Sequence, residues 1–493
     1  MSTEGVWKKR SVVSSFILKY DESRHPLIAL FKRSDKVSTY RHHLAAISGS
    51  IDPSDPSPLS AAWRELREET TLASPALSLH RRGKPFTFRD DDLRREWTVY
   101  PFLFRLNSPA ADEQRICIDW EHESWGWHDP DEAIRNLESR ALNGVPRLTD
   151  SLRRVWFEYD LGPVAGKILA EGLEKLANDY ESGARQLADA ALLTLKGVLQ
   201  ALEESDDVWS KLRMAAWHLC KNGRESMSAA ITSVLLTGLA AVESALKESR
   251  QAALKALDAQ LEARKESAAK VATAFAGFLE RTFPEKKVSI LTLSESSTIR
   301  TGLLKAAQSG LTLDLRILES RPLFEGVSLA GSLSQELKTG DHSITLYTDA
   351  SAALAARGAD VVVIGADRIA SSGAVSNKTG TLPTLLSAKH ISPGVKTVML
   401  GESDKVAPGK PEEHVVENND PEQLRRAWRH EYNSARVCSG ANLDFRIHNV
   451  FFEWAPADLV DVYITERGEW TVHDIAQHAD RLLEEETRFF GDL

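Results

Sequence analysis

The chain has 493 residues, too many for one hydrophobic core, because single cores stop growing at roughly 250 to 300 residues. Its net charge of −10 argues against direct nucleic-acid binding, and its apolar runs stay below the roughly 20 residues that a membrane helix needs. Three cysteines are too few for a disulfide framework and the first residues lack a signal-peptide pattern, so we expect a cytoplasmic protein, with the nucleus left open.

The first segment, residues 1–160, is predicted to be an α+β domain. The runs SVVSSFIL (11–18), PLIALFKR (26–33) and WTVYPFLFRL (97–106) are β-branched and apolar, as is typical of strands. One marked helix is predicted near 58–70. The segment is therefore expected to combine a sheet with one helix that carries its chemistry.

This predicted helix carries three carboxylates on one face. Glu65, Glu68 and Glu69 are spaced i, i+3 and i+4, and Arg64 precedes Glu68 by four residues. Crowded carboxylates repel unless a cation joins them, and oxygen ligands of this kind suit Mg²⁺ or Mn²⁺, which can bridge to a diphosphate and activate water. Arg64 is placed to hold Glu68 by a charge-assisted hydrogen bond. The pattern predicts a metal site, with a solvated charged helix as the alternative.

The stretch RELREETTL (64–72) resembles the Nudix hydrolase box, in which R-E-U-x-E-E-x-G-U has U apolar. With the preceding strands, the AAISGSI turn and DWEHESWGW, the resemblance covers roughly residues 10–160. It implies that Glu65, Glu68 and Glu69 bind the metal and that Arg64 is their structural partner. Three departures leave open a Nudix fold kept only for binding: Thr71 replaces a glycine, Gly49 lies one residue too far upstream, and the upstream glutamate is missing near Asp55.

Residues 161–285 are predicted to form a helical domain, because no proline occurs between Pro163 and Pro284 and Ala, Leu, Glu and Lys dominate. Residues 286–493 are predicted to form a doubly wound α/β domain with a polar excursion at 403–442. Its five strand-like runs alternate with helix-length segments, and the run Val361–Ile364 is apolar throughout, as in a parallel strand buried on both faces. The five runs are KVSILTLS, LDLRILES, SITLYTD, ADVVVIGAD and KTVMLGES.

Polar residues follow several of these strands, where open parallel sheets bind ligands. Asp367 follows ADVVVIGA, and a carboxylate beside a cavity can have a raised pKa and act as a general acid or base. Arg321, Asn377 and Lys378 are predicted to bind phosphate and hydroxyl groups, and Gly380 is predicted to begin a helix whose amino end favours an anion. In the alternative, Asp367 only pairs with basic neighbours in a solvated network.

Three motifs in this region resemble the alpha, beta and delta subunits of translation initiation factor 2B. They equally resemble the isomerases that act on methylthioribose 1-phosphate and ribose 1,5-bisphosphate. The motifs are ESRP (319–322), YTDASAALAARGADVVVIGADRIASSGAVSNKTGTL (347–382) and FFEWAPADLVDVYITERG (451–468). NGRESMSAAITSVL (222–235) looks like the family's helical signature, so the resemblance spans roughly 165–490. It implies a Rossmann-like fold, a nucleotide or sugar-phosphate ligand and a homodimer.

One position separates the two groups. The isomerases have a cysteine opposite the aspartate equivalent to Asp367, and ILTLSESST places Ser294 there. A serine hydroxyl ionises far less readily than a thiol, and the stretch offers no adjacent base. Isomerase activity is therefore expected to be absent, and Ser294 is expected to bind ligand.

The sequence thus predicts a Mg-dependent (or Mn-dependent) Nudix hydrolase of a nucleoside diphosphate-linked compound, fused to an initiation factor 2B-like domain that binds a nucleotide or sugar phosphate. One alternative is a non-catalytic interaction protein with translation-factor subunits as partners. The other is an isomerase of the ribose 1,5-bisphosphate type. Binding to a membrane is not expected.

Overall fold

The computed structural model describes residues 7–179, 182–224, 227–337, 341–407, 419–428 and 446–493. Its contacts group the chain into two compact units. The first unit comprises residues 1–177, 194–223 and 492–493, and the second unit comprises residues 178–193 and 224–491. Cys438 and parts of the stretches 222–235 and 403–442 lie outside the described residues.

The first unit is built on a mixed seven-stranded sheet. Its strands are β1 (Lys8–Tyr20), β2 (Pro26–Arg33), β3 (Leu44–Ala45), β4 (Leu77–Arg82), β5 (Phe86–Asp90), β6 (Arg95–Leu106) and β7 (His122–His128). The order is β3-β2-β1-β6-β4, with β5 on β6 and β7 on β2. Strands β1 and β6 run parallel, whereas the other pairs are antiparallel.

The helices between residues 58 and 221 are α1 (Pro58–Thr70), α2 (Pro109–Asp112), α3 (Pro130–Glu138), α4 (Leu148–Arg153), α5 (Glu158–Asn178), α6 (Ala184–Ala201) and α7 (Val208–Lys221). One apolar cluster joins α1 to the sheet through Ala61, Ala62 and Leu66. A second cluster joins α3 and α4 through residues such as Ile134 and Leu152. The predicted α+β arrangement therefore holds for this part of the chain.

Helices α5 and α7 belong to this unit because their side chains are tied to β4. The Arg81 guanidinium pairs with the Glu158 carboxylate at 2.6 and 2.7 Å. The Asn222 side chain, just beyond α7, hydrogen-bonds the backbone N–H and C=O of Arg82 at 2.6 and 3.0 Å. These contacts join the start of α5 and the residue after α7 to the sheet of the first unit.

The second unit contains a seven-stranded sheet. Its strands are β8 (Lys287–Leu293), β9 (Thr312–Leu318), β10 (Ser343–Tyr347), β11 (Val361–Ile364), β14 (Lys396–Leu400), β16 (Val462–Thr465) and β17 (Gly468–Trp470). A small antiparallel sheet contains β12 (Arg368–Ile369), β13 (Val375–Lys378) and β15 (Phe452–Ala455). The helices are α8 (Ser228–Ala245), α9 (Arg250–Lys265), α10 (Ser267–Thr282), α11 (Ser297–Gln308), α12 (Glu325–Glu336), α13 (Ala352–Ala355), α14 (Thr381–Ile391), α15 (Pro421–Trp428) and α16 (Val472–Phe490).

The large sheet has the order β10-β9-β8-β11-β14-β16-β17 and is parallel except at β17. This is a doubly wound order, which reverses direction between β8 and β11 and leaves a crevice at their carboxyl ends. Helix α10 packs on the sheet because Val271, Phe275 and Leu279 join the apolar cluster formed by strand residues such as Val288 and Ile290. The predicted doubly wound sheet is therefore present.

Helix α8 is the one helix in the described part of the chain that is long and apolar enough to span a membrane. In the structure 61% of it is buried inside the protein, as expected of a core helix, so its composition is weak support for a membrane span.

Candidate functional site

Helix α1 presents the acidic cluster predicted in the first unit. Ser57 caps its amino end by accepting a hydrogen bond from the Ser60 N–H at 3.1 Å, and Pro58 suits the first turn. The helix ends at Thr71, whose φ of 63° is left-handed, the conformation for which glycine is favoured. The helix is thus fixed at both ends despite the missing glycine.

Arg64 anchors the preceding loop to this helix. Its guanidinium binds both oxygens of the Asp55 carboxylate, at 3.2 and 2.9 Å, and the Ser50 carbonyl oxygen at 3.0 Å. It also donates to Glu65 Oε1 at 2.7 Å and to Glu68 Oε2 at 3.3 Å. These hydrogen bonds lower the pKa of Asp55. Arg64 therefore acts as a structural partner of the glutamates, as the sequence predicted.

The Glu65 and Glu69 carboxylates lie on the buried side of α1. A Cβ atom on Gly49 would lie 1.9 Å from Glu65 Oε1, so this position needs glycine for the carboxylate to approach the backbone. Glu69 is 4% exposed, and its Oε2 lies 3.5 Å from His122 Nε2. Burial, and then the negative charges of Glu65, Glu121 and Asp119, raise the pKa of Glu69 to about 10. The Glu69 carboxyl therefore ionises less readily than an exposed glutamate.

Glu68 differs from the other two, because its side chain is 54% exposed. Within the described residues, no three His, Cys, Asp or Glu side chains stand close enough together to hold a metal ion as they are. The donor chemistry nevertheless fits a hard divalent cation, since carboxylates that raise one another's pKa are stabilised by a shared cation. Glu121, which the sequence prediction missed, adds a carboxylate from the loop before β7.

A cavity of about 260 Å³ adjoins this cluster in the first unit. Gly49 and Glu121 line it on one side, and the aromatic side chains of Tyr40, Phe88 and Trp97 contribute to its walls. This cavity could not be predicted from the sequence, because its walls come from strands and loops that are far apart along the chain.

The second unit contains a cavity of about 740 Å³ at the point where the strand order reverses. Ser294 follows β8 and Asp367 follows β11, and both side chains line it together with Asn377 and Lys378. Four of the five residues predicted for this site are therefore brought together. The fifth, Arg321, is not among the described residues that line this cavity. Its guanidinium Nε donates a hydrogen bond to Glu319 Oε1 at 2.9 Å.

Asp367 is surrounded by charges of both signs. Burial raises the pKa of its carboxyl, whereas Lys405, Lys378 and Arg224 lower it and Glu325 raises it. Its backbone N–H donates to the Ser376 carbonyl at 2.9 Å, which fixes the chain as it leaves β11. A carboxyl with a raised pKa beside a cavity can donate and accept protons, as a general acid or base must.

Ser294 has a backbone conformation that is uncommon for a residue other than glycine. Its φ is 64°, it is 5% exposed, and its N–H donates to Ser320 Oγ at 2.7 Å. Such conformations concentrate at functional sites, where neighbouring structure holds them. The turn places Ser294 on the cavity wall just before Ser296, which caps α11 by accepting from the Ile299 N–H at 3.3 Å.

Lys378 and Asn377 are already engaged within the protein. Lys378 Nζ lies 2.9 Å from Glu325 Oε1 and within 5.1 Å of the ring centres of Phe451 and Phe452. The Asn377 side-chain amide donates to Thr381 Oγ1 at 2.9 Å. The charge of Lys378 is therefore partly neutralised by Glu325. The side chain of Asn377 is held in the cavity wall by its hydrogen bond to Thr381.

The amino end of α14 differs from the prediction. Gly380 caps it with a φ of 106°, but the free N–H groups of Gly380 and Leu382 both donate to Glu453 Oε1, at 2.6 and 3.0 Å. The anion expected at this helix end is thus a side chain of the protein itself. The sequence could not show this, because Glu453 comes from a strand more than 70 residues later.

The charged residues that line the cavity and were missed include Arg224, Glu402 and Lys405. Arg224 precedes α8, and Glu402 and Lys405 lie on the turn after β14. A signal for the last two was present, since GESDK directly follows the apolar run KTVML and thus occupies the carboxyl end of a parallel strand.

Comparison with known proteins confirms both sequence resemblances. Residues 180–472 match the Initiation factor 2 subunit family, and residues 9–148 match the NUDIX domain.

The similar curated proteins include methylthioribose-1-phosphate isomerases. The protein of Vitis vinifera is 29% identical over 322 residues, which are 60% of this chain and 82% of that protein. The protein of Heliobacterium modesticaldum is 32% identical over 177 residues, 34% of this chain and 46% of that protein. The protein of Parabacteroides distasonis is 29% identical over 182 residues, 36% of this chain and 51% of that protein. The chain spans about half the length of the last two.

Similar solved structures include eIF2B beta from Chaetomium thermophilum, with a TM-score of 0.49 and 15% identity over 67% of this chain and 95% of that chain. The translation initiation factor eIF-2B of Pyrococcus horikoshii OT3 has a TM-score of 0.45 and 21% identity over 62% of this chain and 98% of that chain. At these values the likeness carries no argument about function.

These relatives correct the enzyme prediction. A Nudix-type hydrolase was expected to be the enzyme of this chain and isomerase activity was expected to be absent, but the similar curated proteins are named isomerases. The prediction gave too much weight to Ser294 and too little to the other groups that line the same cavity.

Proposed function

Since the chain belongs to the initiation factor 2 subunit family, we propose that its second unit binds a phosphorylated sugar and isomerises it between the aldose and ketose forms. The observation that carries this proposal is the position of Asp367 in the cavity, with Lys378 and Lys405 beside it. Cations suit the phosphate, and the carboxyl suits proton transfer. The relatives named methylthioribose-1-phosphate isomerase support a sugar 1-phosphate as the substrate.

In the proposed isomerisation, the carboxyl group of Asp367 carries out two proton transfers. Opening the ring of an aldose 1-phosphate places a proton on the ring oxygen as its bond to C1 breaks. One hydrogen then moves from C2 to C1 with its electron pair, and the C2 hydroxyl releases its proton as the ketone forms, so the atoms balance. Asp367, whose pKa is raised by burial, donates the first proton and accepts the second. Ser294 and Asn377 line the part of the cavity that would enclose the sugar.

The test compares binding with turnover. Methylthioribose 1-phosphate and ribose 1,5-bisphosphate are titrated into the full chain by calorimetry, and ketose formation is followed separately. Asp367→Asn is expected to bind within about threefold of the unchanged chain and to lose at least about 100-fold in turnover. The control is Asp458→Asn, the same change at an exposed carboxylate of this unit, which should retain both. Binding without turnover in the unchanged chain would favour the alternative of a non-catalytic sensor.

A second candidate function concerns the Nudix domain. Glu69 is buried beside the carboxylates of Glu65 and Glu121 with a pKa near 10, an arrangement that a divalent cation would relieve. Glu65, Glu69 and Glu121 would hold Mg²⁺ or Mn²⁺, with Glu68 as a further ligand and Arg64 as their support. Such a metal, when bound, activates water and neutralises a diphosphate. The adjoining cavity with its aromatic walls suits a nucleoside linked to that diphosphate.

Metal binding is tested with Mn²⁺ by electron paramagnetic resonance, and hydrolysis with a panel of nucleoside diphosphate compounds. Glu69→Gln is expected to weaken Mn²⁺ binding by at least about tenfold and to abolish hydrolysis. Glu132→Gln, at an exposed glutamate of the same unit, is the control. Equal Mn²⁺ binding by both variants would refute the site.

We also propose that the chain self-associates in the cytoplasm. The second unit exposes large apolar side chains, with Leu346 at 47%, Leu354 at 55% and Leu386 at 52%. Sedimentation of the full chain beside Leu354→Asp tests this, and a monomer at micromolar concentration would contradict it. Association with translation-factor subunits is a further outcome that co-purification would detect.

A further inference from the structure

The cavity beside the carboxylates of α1 has room for one end of a nucleoside diphosphate compound and not for all of it. Its volume is about 260 Å³. Sites that enclose a whole drug-sized ligand measure roughly 300 to 1,000 Å³. Tyr40, Phe88 and Trp97 line the cavity, and flat aromatic side chains suit a nucleobase. A nucleoside bound there would leave the group at the other end of the diphosphate outside the cavity.

Trp120 offers an aromatic surface to that other group. It is 56% exposed, and its neighbours Asp119 and Glu121 are carboxylates whose charge acts on Glu69. Its carbonyl oxygen accepts a hydrogen bond from Ser34 Oγ at 2.8 Å, which fixes the backbone. Its indole has no hydrogen-bond or ring partner within the described part of the chain. An exposed indole beside a charged site can cover the apolar face of a sugar ring.

The sugar phosphate that such a compound releases depends on which sugar carbon bears the diphosphate. Water adds its oxygen to one phosphorus atom, the bond from that phosphorus to the bridging oxygen breaks, and the bridging oxygen leaves with the other phosphate. The two protons of the water pass to solvent as the products ionise, so atoms and charge balance. A link at the anomeric carbon therefore yields a nucleoside monophosphate and a sugar 1-phosphate, whereas a link at C5 yields a sugar 5-phosphate.

A sugar 1-phosphate is also the compound that the cavity around Asp367 is proposed to isomerise. We propose that the first unit hydrolyses a nucleoside diphosphate sugar linked through its anomeric carbon, with the nucleobase in the aromatic cavity and the sugar against Trp120. The sugar 1-phosphate that it releases is then the substrate of the second unit. This inference rests on the functions proposed for the two units. It adds the substrate class of the first unit and the reaction that supplies the second.

Phosphorus NMR of the full chain with Mg²⁺ tests the order of the two reactions. The substrates are adenosine, guanosine and uridine diphosphates joined to C1 of ribose, and the matched isomers are the same diphosphates joined to C5. The C1-linked compound of the preferred base should be cleaved at least about tenfold faster than its isomer. Ribose 1-phosphate should appear first and a ketose 1-phosphate should follow.

Variants assign each reaction to its unit. Glu69→Gln should stop the release of ribose 1-phosphate from the C1-linked compound. Asp367→Asn should let ribose 1-phosphate accumulate without a ketose. Glu132→Gln, at an exposed glutamate of the first unit, is the control and should change neither reaction. Release of ribose 1-phosphate by Glu69→Gln at the unchanged rate would overturn the inference.

Calorimetry tests the contact with the sugar. The ligands carry a methylene group in place of the bridging oxygen, so that they resist hydrolysis. Trp120→Ala is expected to weaken the C1-linked ligand by about three- to tenfold, while the nucleoside diphosphate without a sugar binds within about twofold of the unchanged chain. Trp120→Phe should recover most of the loss. Val164→Ala, at an exposed apolar residue of the same unit, is the control. An equal loss for both ligands, or no loss, would contradict the contact.

Direct addition of ribose 1-phosphate and methylthioribose 1-phosphate separates this inference from the function proposed for the second unit. A chain that isomerises either of them, but cleaves C5-linked compounds as fast as C1-linked ones or cleaves neither, would overturn the inference and leave that function standing. If no ketose forms from either sugar phosphate, the proposed isomerase function fails, and the inference fails with it.

Discussion

The ammonium group of Lys378 lies 2.9 Å from the Glu325 carboxylate on the wall of the large cavity. This contact predicts opposite effects for two substitutions. Lys378→Met should weaken sugar-phosphate binding by about tenfold, because a charged hydrogen-bond donor is lost. Glu325→Gln should strengthen binding by about two- to fivefold, because Lys378 is no longer neutralised. Calorimetry measures both affinities. A loss of affinity in Glu325→Gln would contradict this prediction, because it would show that Glu325 positions Lys378 for the ligand and does not compete with the ligand for it.

Ser294 stands where the isomerases that this region resembles have a cysteine, so a thiol at this position is expected to assist the proton transfers of Asp367. Ser294→Cys introduces a thiol, which ionises more readily, in the same left-handed turn. Turnover is expected to rise by about tenfold, with KM nearly unchanged. Ser320→Cys, at the neighbouring buried serine, is the comparison and should not raise turnover. An unchanged rate in Ser294→Cys would assign Ser294 to the cavity wall alone.

Glu453 should stabilise the amino end of α14, where it accepts two backbone N–H groups. Glu453→Ala is expected to cost about 1 to 2 kcal/mol of local stability. Hydrogen exchange at Gly380 and Leu382 should accelerate by about 5- to 30-fold, while exchange in α10 stays the same. Unchanged exchange at these two amides would mean that water replaces the carboxylate.

Gly49 keeps space for Glu65, since a Cβ atom there would lie 1.9 Å from its carboxylate. Gly49→Ala is therefore expected to displace Glu65 and to weaken Mn²⁺ binding by about tenfold. Gly126→Ala is the matched control, because its nearest neighbour would be 3.8 Å away. Equal Mn²⁺ affinity in the two variants would remove Glu65 from the metal site.

His218 should make the first unit sensitive to acid. It is fully buried against Phe157, and burial lowers its pKa to about 3 from an ordinary value of 6.5. Because the folded pKa is depressed, its contribution to stability is present above pH 6.5 and is lost as the pH falls toward 3, at up to about 1.4 kcal/mol per pH unit. His218→Phe should show a smaller fall in Tm between pH 7 and pH 5. The control is His25→Phe, at a half-exposed histidine. Its Tm should fall between pH 7 and pH 5 by as much as the Tm of the unchanged chain.

Local pattern was enough to place much of the second site. The apolar runs before Ser294 and Asp367 marked buried parallel strands, and such strands bring their carboxyl ends together, so the meeting of these residues followed from the sequence. The carboxylates of α1 likewise followed from helical spacing.

What the sequence could not show depends on contacts between distant residues. The Glu453 carboxylate at the α14 amino end, Glu121 beside Glu69, and the pairing of Arg81 with Glu158 all join segments more than 50 residues apart. The last of these joins the start of α5 to the sheet of the first unit.

The most direct test of the central claim is carbon NMR of the full chain with methylthioribose 1-phosphate labelled with ¹³C at C2. The account predicts a ketone carbon signal that grows with the unchanged chain and with Asp458→Asn, and that is absent with Asp367→Asn. A ligand that binds in the calorimeter but gives no ketone signal after prolonged incubation, or a signal that grows equally with Asp367→Asn, would contradict the account.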